Sequence, residues 1–208
     1  MYLPDSFREA SLPRLHRFID QHSFATIITP SPEGLHCSHV PVLLQPQADS
    51  PGVLQGHFAR ANPHSCVKAN GPTLCVFQGP HAYISPNWVS DRNVVPTWNY
   101  VAVHARGQLV LQHDPEWLHT LFIRMAQKYE AALPDQWSLS SPDPSYLERM
   151  TKGTIGFEIA IEQLDGKWKL SQNHPVERRL GIIAGLRSIG SATAEQVADL
   201  MLANCHSE

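Results

Sequence analysis

The chain has 208 residues, enough for one domain with a sizeable core. Its 42% hydrophobic content, with 12 Gly and 17 Pro, excludes a disordered or low-complexity chain. Sixteen Lys and Arg against 19 Asp and Glu leave a net charge of -3, which excludes the strongly basic footprint of a typical DNA-binding domain but not a local basic patch.

The first residues, MYLPDSFREASLPRLHRF, carry early acids and no apolar run, so they do not read as a secretory signal. No apolar stretch approaches the roughly 18 residues of a membrane-spanning helix, and a cytoplasmic chain with no membrane partner is expected. Leu12, Leu15, Phe18 and Ile19 share one helical face behind Ser11, which predicts a first helix ending near His22. The period then changes. Residues 24–29, 37–45 (through Val40, Val42 and Leu44), 53–58 and 73–77 predict short strands separated by Gly and Pro turn signals. Residues 98–112 continue the pattern, with Gly107 read as a bulge or sharp bend of the kind a closing barrel needs.

Asp114-Pro115-Glu116 is a helix start, because the carboxylate caps free amides and proline at the first position loses no hydrogen bond. A helix over 115–133 follows, with Leu118, Leu121, Phe122, Met125 and Tyr129 on its buried side. A proline-rich connection leads to a short helix at 146–152. Ile155, Phe157, Ile159 and Ile161 then alternate as a strand, Asp165-Gly166 reads as a hairpin turn, and 167–170 pairs back as the last strand. Helical patterns at 177–186 and 194–202 close the chain, the second opened by a Thr193/Gln196 capping box and running to Asn204. The expected fold class is mainly β with flanking helices, an antiparallel split β-barrel over 1–173 with an inserted helix at 115–133 and a helical tail at 174–208.

Several chemistries find no support. Cys37, Cys66, Cys75 and Cys205 form no C-x-x-C pair, and Cys66 and Cys75 read as buried thiols rather than nucleophiles. Only His36-Cys37-Ser38-His39 brings metal-ligand types together, and a strand would point His36 and His39 to opposite faces, so no metal site is expected. No G-x-S-x-G elbow, phosphate loop or G-x-G-x-x-G fingerprint is present. Arg178, Arg179 and Arg187 make the first tail helix basic, which outlines a helix-turn-helix and leaves DNA as a candidate partner. The second, TAEQVADLMLAN, has no basic residue with which to read a groove, and a packing arm that clamps a dimer is the plainer reading.

Four segments are more polar and aromatic than a scaffold requires: GHFARANPH from Gly56, GPHAYISPNW from Gly79, VPTWNYVAVH from Val95 and GKWKLSQN from Gly166. Singly, each has a plain reading as strand ends, caps or packing. Together, and with MYLPDSF at the start, they resemble the PaiB-like family of FMN-binding split-barrel proteins, described as negative transcriptional regulators, along nearly the whole chain. The resemblance implies a homodimer with one FMN near each end of the subunit interface.

FMN makes three demands. Its phosphate needs cations and hydroxyls, for which Arg60, Lys169, Ser171 and Ser85 are suited. Its flat ring needs aromatic walls, for which Tyr83, Trp98 and Tyr100 qualify. Its polar edge needs amides and neutral donors, which Asn62, Asn99, Gln172 and His57 supply, and Ala59 and Thr97 complete the set. In related flavin barrels the segment corresponding to 57–62 borders the ribityl phosphate and ring. Two alternatives accompany this reading: an FMN-dependent oxidoreductase using a nicotinamide nucleotide, and a haem-binding or haem-degrading relative.

Overall fold

The computed structural model describes residues 1–91 and 93–205. Seven strands are β1 (Arg8–Glu9), β2 (Phe24–Ser31), β3 (Gly34–Gln47), β4 (Ser50–Ala59), β5 (Thr73–Ile84), β6 (Thr97–Gln112) and β7 (Thr154–Lys169). The helices are α1 (Leu12–Gln21), α2 (Pro115–Glu130), α3 (Pro144–Lys152), α4 (Val176–Ile189) and α5 (Ala192–Cys205). The sheet runs β1-β7-β4-β3-β2-β5-β6, and β7 pairs again with β6, so the ladder returns to itself. The pairings β1–β7, β2–β3, β2–β5, β3–β4 and β4–β7 are antiparallel. This is the antiparallel split barrel expected from the strand pattern. Its strands are longer than their apolar runs suggested, since β6 and β7 have 16 residues each.

The chain forms two compact units. Unit 1 comprises Met1–Leu15, Gln78–His104 and Asp165–Glu208, and unit 2 comprises His16–Phe77 and Ala105–Leu164.

In unit 2, β4 and β7 pair Gly56 with Phe157 and His57 with Gly156. A Cβ on Gly56 would strike the Phe157 ring, so glycine lets that ring lie over the ladder and stack on Phe58, centroids 4.4 Å apart. Asp114 caps α2 by accepting from the Glu116 N–H (2.9 Å), as its sequence predicts. Leu118, Leu121 and Met125 are buried, and Leu121 and Met125 pack with Leu43 and Trp117. A polar strut also holds α2. Arg124 donates to Gln55 (2.5 Å) and Gln45 (2.9 Å), and Gln55 donates to Glu158 (2.6 Å).

In unit 1, α4 ends at Gly190 in the left-handed region (φ 69). Gly181 and Gly185 of α4 leave room for Trp88, whose ring and carbonyl would collide with a Cβ at either position. Trp88 is thus a packing residue, and the PNW turn of the GPHAYISPNW segment docks the tail helix.

Four local expectations are corrected. Asp165-Gly166 makes no hairpin turn, because β7 runs straight through it and Gly166 pairs with Glu9 of β1. Glycine is needed there because a side chain would run into Leu15. Gly107 lies at a close approach of two strands, since a Cβ would meet the Ala160 carbonyl. The last helix is opened by Ser191, whose Oγ accepts from the Ala194 N–H (3.3 Å), rather than by Thr193. The helix at 115–133 ends at Glu130, and Tyr129 is exposed at its end, with its hydroxyl 2.9 Å from Ser23 Oγ. Cys66 is exposed, whereas Cys75 is buried and its thiol is pushed up to about 12 by desolvation.

Candidate functional site

The predicted site residues fall into two groups, one in each unit. Tyr83, Ser85, Thr97, Trp98, Asn99, Tyr100, Lys169, Ser171 and Gln172 belong to unit 1, and His57, Ala59, Arg60 and Asn62 to unit 2.

In unit 1 the chain leaves β7 at Lys169 and turns through Ser171, which takes the left-handed conformation (φ 62). Gln172 holds this turn by accepting from the Leu170 N–H (2.8 Å) and donating to the Trp168 carbonyl (2.5 Å). Lys169 and Ser171 therefore do not share a strand face, contrary to the alternation expected of a continuing strand. Both instead reach the start of β6. Lys169 Nζ donates to Thr97 Oγ1 (2.7 Å) and the Trp98 carbonyl (2.6 Å), and Ser171 Oγ donates to Asn99 Oδ1 (3.1 Å). Buried Asn99 also donates to Met201 Sδ (3.3 Å), which makes it a structural anchor.

Two residues not named as ligands from the sequence join this group. His174 follows the turn, and Arg178 lies one helical turn further along, at the start of α4. Burial, the Arg178 charge and the Lys169 charge hold the His174 imidazole below its ordinary pKa. Burial and the neighbouring Lys167 likewise lower the Lys169 ammonium. Among the described residues no carboxylate pairs with Lys169, His174 or Arg178, and Arg178 Nε is buried without a hydrogen-bond partner. Ser85, Thr97, Ser171, His174 and Arg178 line a gap of about 20 Å³, room for one oxygen atom rather than a whole phosphate. Lys167, buried and also missed, donates to the Tyr2 carbonyl (3.0 Å) and lies over the Tyr2 and Tyr100 rings at 5.2 and 5.3 Å. The spacing of His174 and Arg178 was visible in the sequence, but nothing there said that a turn would fold them back on Lys169.

Trp98 and Tyr83 meet edge to face with centroids 6.0 Å apart, and each is about half exposed (52% and 46%). Ser85 accepts from the Asn87 N–H (3.2 Å), capping the short turn that carries Trp88.

In unit 2, Asn62 is a scaffold residue. It caps the 63–66 turn through the His64 N–H (2.9 Å) and donates to Ser38 Oγ (3.0 Å). Arg60 is exposed and clasps the start of β7 through the Lys152 (2.8 Å) and Thr154 (3.0 Å) carbonyls, and Ala59 beside it is exposed. His57 meets Phe122 edge to face at 5.3 Å, burial lowers its pKa, and its Nδ1 is buried with no hydrogen-bond partner.

The unit 1 group suits a phosphate ester joined to a flat ring. Crowded cations without acids call for an anion, and half-exposed aromatic faces stand on the same unit. Residues 1–163 match the family model described as "putative FMN-binding domain". The Bacillus subtilis protein named protease synthase and sporulation protein PAI 2 is 35% identical over 202 residues, covering 97% of this chain and 96% of that one. An uncharacterized protein of Emericella nidulans is 28% identical over 241 residues, with 97% and 96% covered. The fold is shared with a solved conserved hypothetical protein from Mycobacterium tuberculosis (TM-score 0.57, 11% identity, 84% of this chain and 94% of that one). Fold and family match together define a split-barrel FMN-binding protein. The chain belongs to the FMN-binding family that the model describes, and its cofactor is FMN.

Proposed function

We propose that two copies of this chain form a homodimer that holds FMN at its interface and serves a regulatory role. The observation that carries the flavin site is the pair of cations Lys169 and Arg178 beside the His174 imidazole, with no carboxylate among the described residues to neutralise them. In this reading Lys169, Arg178 and the hydroxyls of Ser85, Thr97 and Ser171 hold the phosphate. Trp98, Tyr83 and Tyr100 face the ring, and Asn99 and Gln172 fix the turn that presents these groups. Bound FMN supplies one- and two-electron redox chemistry at its ring. The protein's share is to bind, orient and shield it.

The half-exposed Trp98 and Tyr83 support the dimer, because a second copy would cover aromatic faces that one copy leaves in water. The regulatory role is drawn from the printed name of the Bacillus subtilis relative, which refers to protease synthesis and sporulation. Direct reading of DNA by the last helix is not part of the proposal, since α5 carries no Lys or Arg.

Absorption of the purified protein tests the cofactor, with flavin bands expected and a haem Soret band overturning the reading. Sedimentation with and without FMN tests the interface: affinity should rise with dimerisation, and a monomer holding FMN at nanomolar protein would overturn it. Anaerobic addition of a nicotinamide nucleotide separates the roles. Rapid bleaching of the flavin would replace the regulatory reading with an oxidoreductase.

A further inference from the structure

Between α2, α3 and the connection that joins them lies a second cavity, of about 430 Å³, wholly within unit 2. Its volume is that of a small-molecule site. Phe122 and Met125 of α2, Trp137 of the connection, and Leu147 and Met150 of α3 wall it, and His57 of β4 contributes its imidazole. Trp137, Met150, Tyr129 and Tyr146 line the same cavity yet are 41–49% exposed. That is an unusual cost for a cluster of large apolar groups with nothing over them.

We propose that this cavity binds a flat, uncharged aromatic molecule in addition to FMN. Aromatic and thioether walls favour a flat polarisable guest. The charge is decided by the lining: its one carboxylate is Glu130, and no Lys or Arg is present, so an anion would be repelled. Glu130 is itself engaged, since it accepts from the Trp137 N–H (2.9 Å) and so ties the connection to the end of α2. Of the other polar groups in the lining, the Thr151 hydroxyl donates to the Leu147 carbonyl (2.9 Å) and the Tyr129 hydroxyl lies 2.9 Å from Ser23 Oγ, which leaves Tyr146, His119 and the neutral imidazole of His57. With His57 Nδ1 buried and unpartnered, the tautomer that carries its proton on Nε2 presents one N–H donor for a heteroatom of the guest. A second copy of the chain is a poorer occupant, because polar groups set into a concavity of this size are reached by a small molecule rather than by a flat protein face.

The test uses N-phenyl-1-naphthylamine, a neutral fluorescent probe, and 8-anilinonaphthalene-1-sulfonate, which carries the same rings with a sulfonate. The full chain saturated with FMN should bind one neutral probe per chain, with the sulfonate at least tenfold weaker and the gap narrowed in Glu130→Gln. Ala126→Trp, on an accessible position of α2 that lines the cavity, should weaken the neutral probe at least tenfold while circular dichroism and FMN affinity stay unchanged. Displacement of the probe by FMN would assign the cavity to the flavin and overturn the proposal. Loss of the probe signal on dimerisation, equal binding of the sulfonate, or full binding by Ala126→Trp would overturn it as well. Failure to bind FMN would sink the flavin assignment alone, because the probe comparison is equally readable on the flavin-free chain.

Discussion

The two proposed ligand sites are built on opposite electrostatic terms. In unit 1, burial and neighbouring cations lower Lys169 and His174, Arg178 stands beside them, and no acid is paired to any of the three among the described residues. In unit 2, the cavity under α2 and α3 is aromatic and its one carboxylate is Glu130. Cations crowded without acids are a cost that an anion relieves, whereas an apolar chamber with one acid penalises an anion. A phosphate ester and a neutral aromatic should therefore sort between the two regions by charge alone.

The largest expected effect breaks the phosphate side of that contrast. Lys169→Ala removes a charge-assisted hydrogen bond of about 1.5–3 kcal/mol, so FMN binding should weaken by roughly 10- to 150-fold. Riboflavin, which lacks the phosphate, should bind the variant almost as it binds the wild type. Equal losses for both flavins would mean that the Thr97 and Trp98 contacts of Lys169 shape the ring site and that its charge does not matter.

Next in size is an acid effect confined to unit 2. His64 is 1% exposed, stacked on Phe58 at 4.8 Å, with Nδ1 2.8 Å from Ser38 Oγ and Nε2 buried without a partner. Burial and nearby His36 lower its pKa from 6.5 to about 4. The folded state thus prefers the neutral ring, and its stabilising share is fully present above pH 6.5 and is lost as the pH falls from 6.5 towards 4. Thermal unfolding should show Tm declining across that window and a shallower decline in His64→Phe. Parallel declines would assign the acid sensitivity to other groups.

Arg178→Gln sharpens the comparison from the other direction. Its Nε has no hydrogen bond to lose, so stability should hold within about 0.5 kcal/mol, while FMN weakens by roughly threefold to tenfold, short of the Lys169 effect. A fall in Tm without a change in FMN affinity would make Arg178 a structural residue.

Legibility in the sequence followed how local each signal was. The Asp114 cap and the alternation of Ile155, Phe157, Ile159 and Ile161 were readable because neighbours within a turn or a strand decide them. The second half of β5 was not, because its buried face passes through Gly79 and then changes phase to Ala82 and Ile84, small residues and a slip that blur an apolar alternation. Asp165-Gly166 carried a strong turn signal, yet the side chain of Leu15, 151 positions away in sequence, is what requires the glycine. In the site, chemistry selected Lys169 and Ser171, but the left-handed turn at Ser171 that folds His174 and Arg178 into their company is a tertiary outcome. The aromatic cavity was invisible for the same reason, since its walls come from two helices, a connection and a strand.

The smallest expected effect tests whether His174 belongs to the phosphate group at all. Its folded pKa is lowered by burial and by Arg178 and Lys169, so it is neutral at pH 7.5 and gains a proton only as the pH falls below its ordinary 6.5. An arriving phosphate opposes those neighbouring cations and would raise that pKa, so binding and protonation should assist each other. The phosphate itself works against this trend, because its second proton is taken up near pH 6 and reduces the anion's charge. Wild-type affinity for FMN is then expected to change little between pH 7.5 and 5.5, the two effects offsetting. In His174→Asn only the loss of phosphate charge remains, and affinity should fall by roughly two- to fivefold over the same range, less than one decade in binding. Riboflavin serves as the internal reference and should show no pH dependence in either protein. Identical FMN profiles for wild type and His174→Asn would remove His174 from the group and leave Lys169 and Arg178 as its cations.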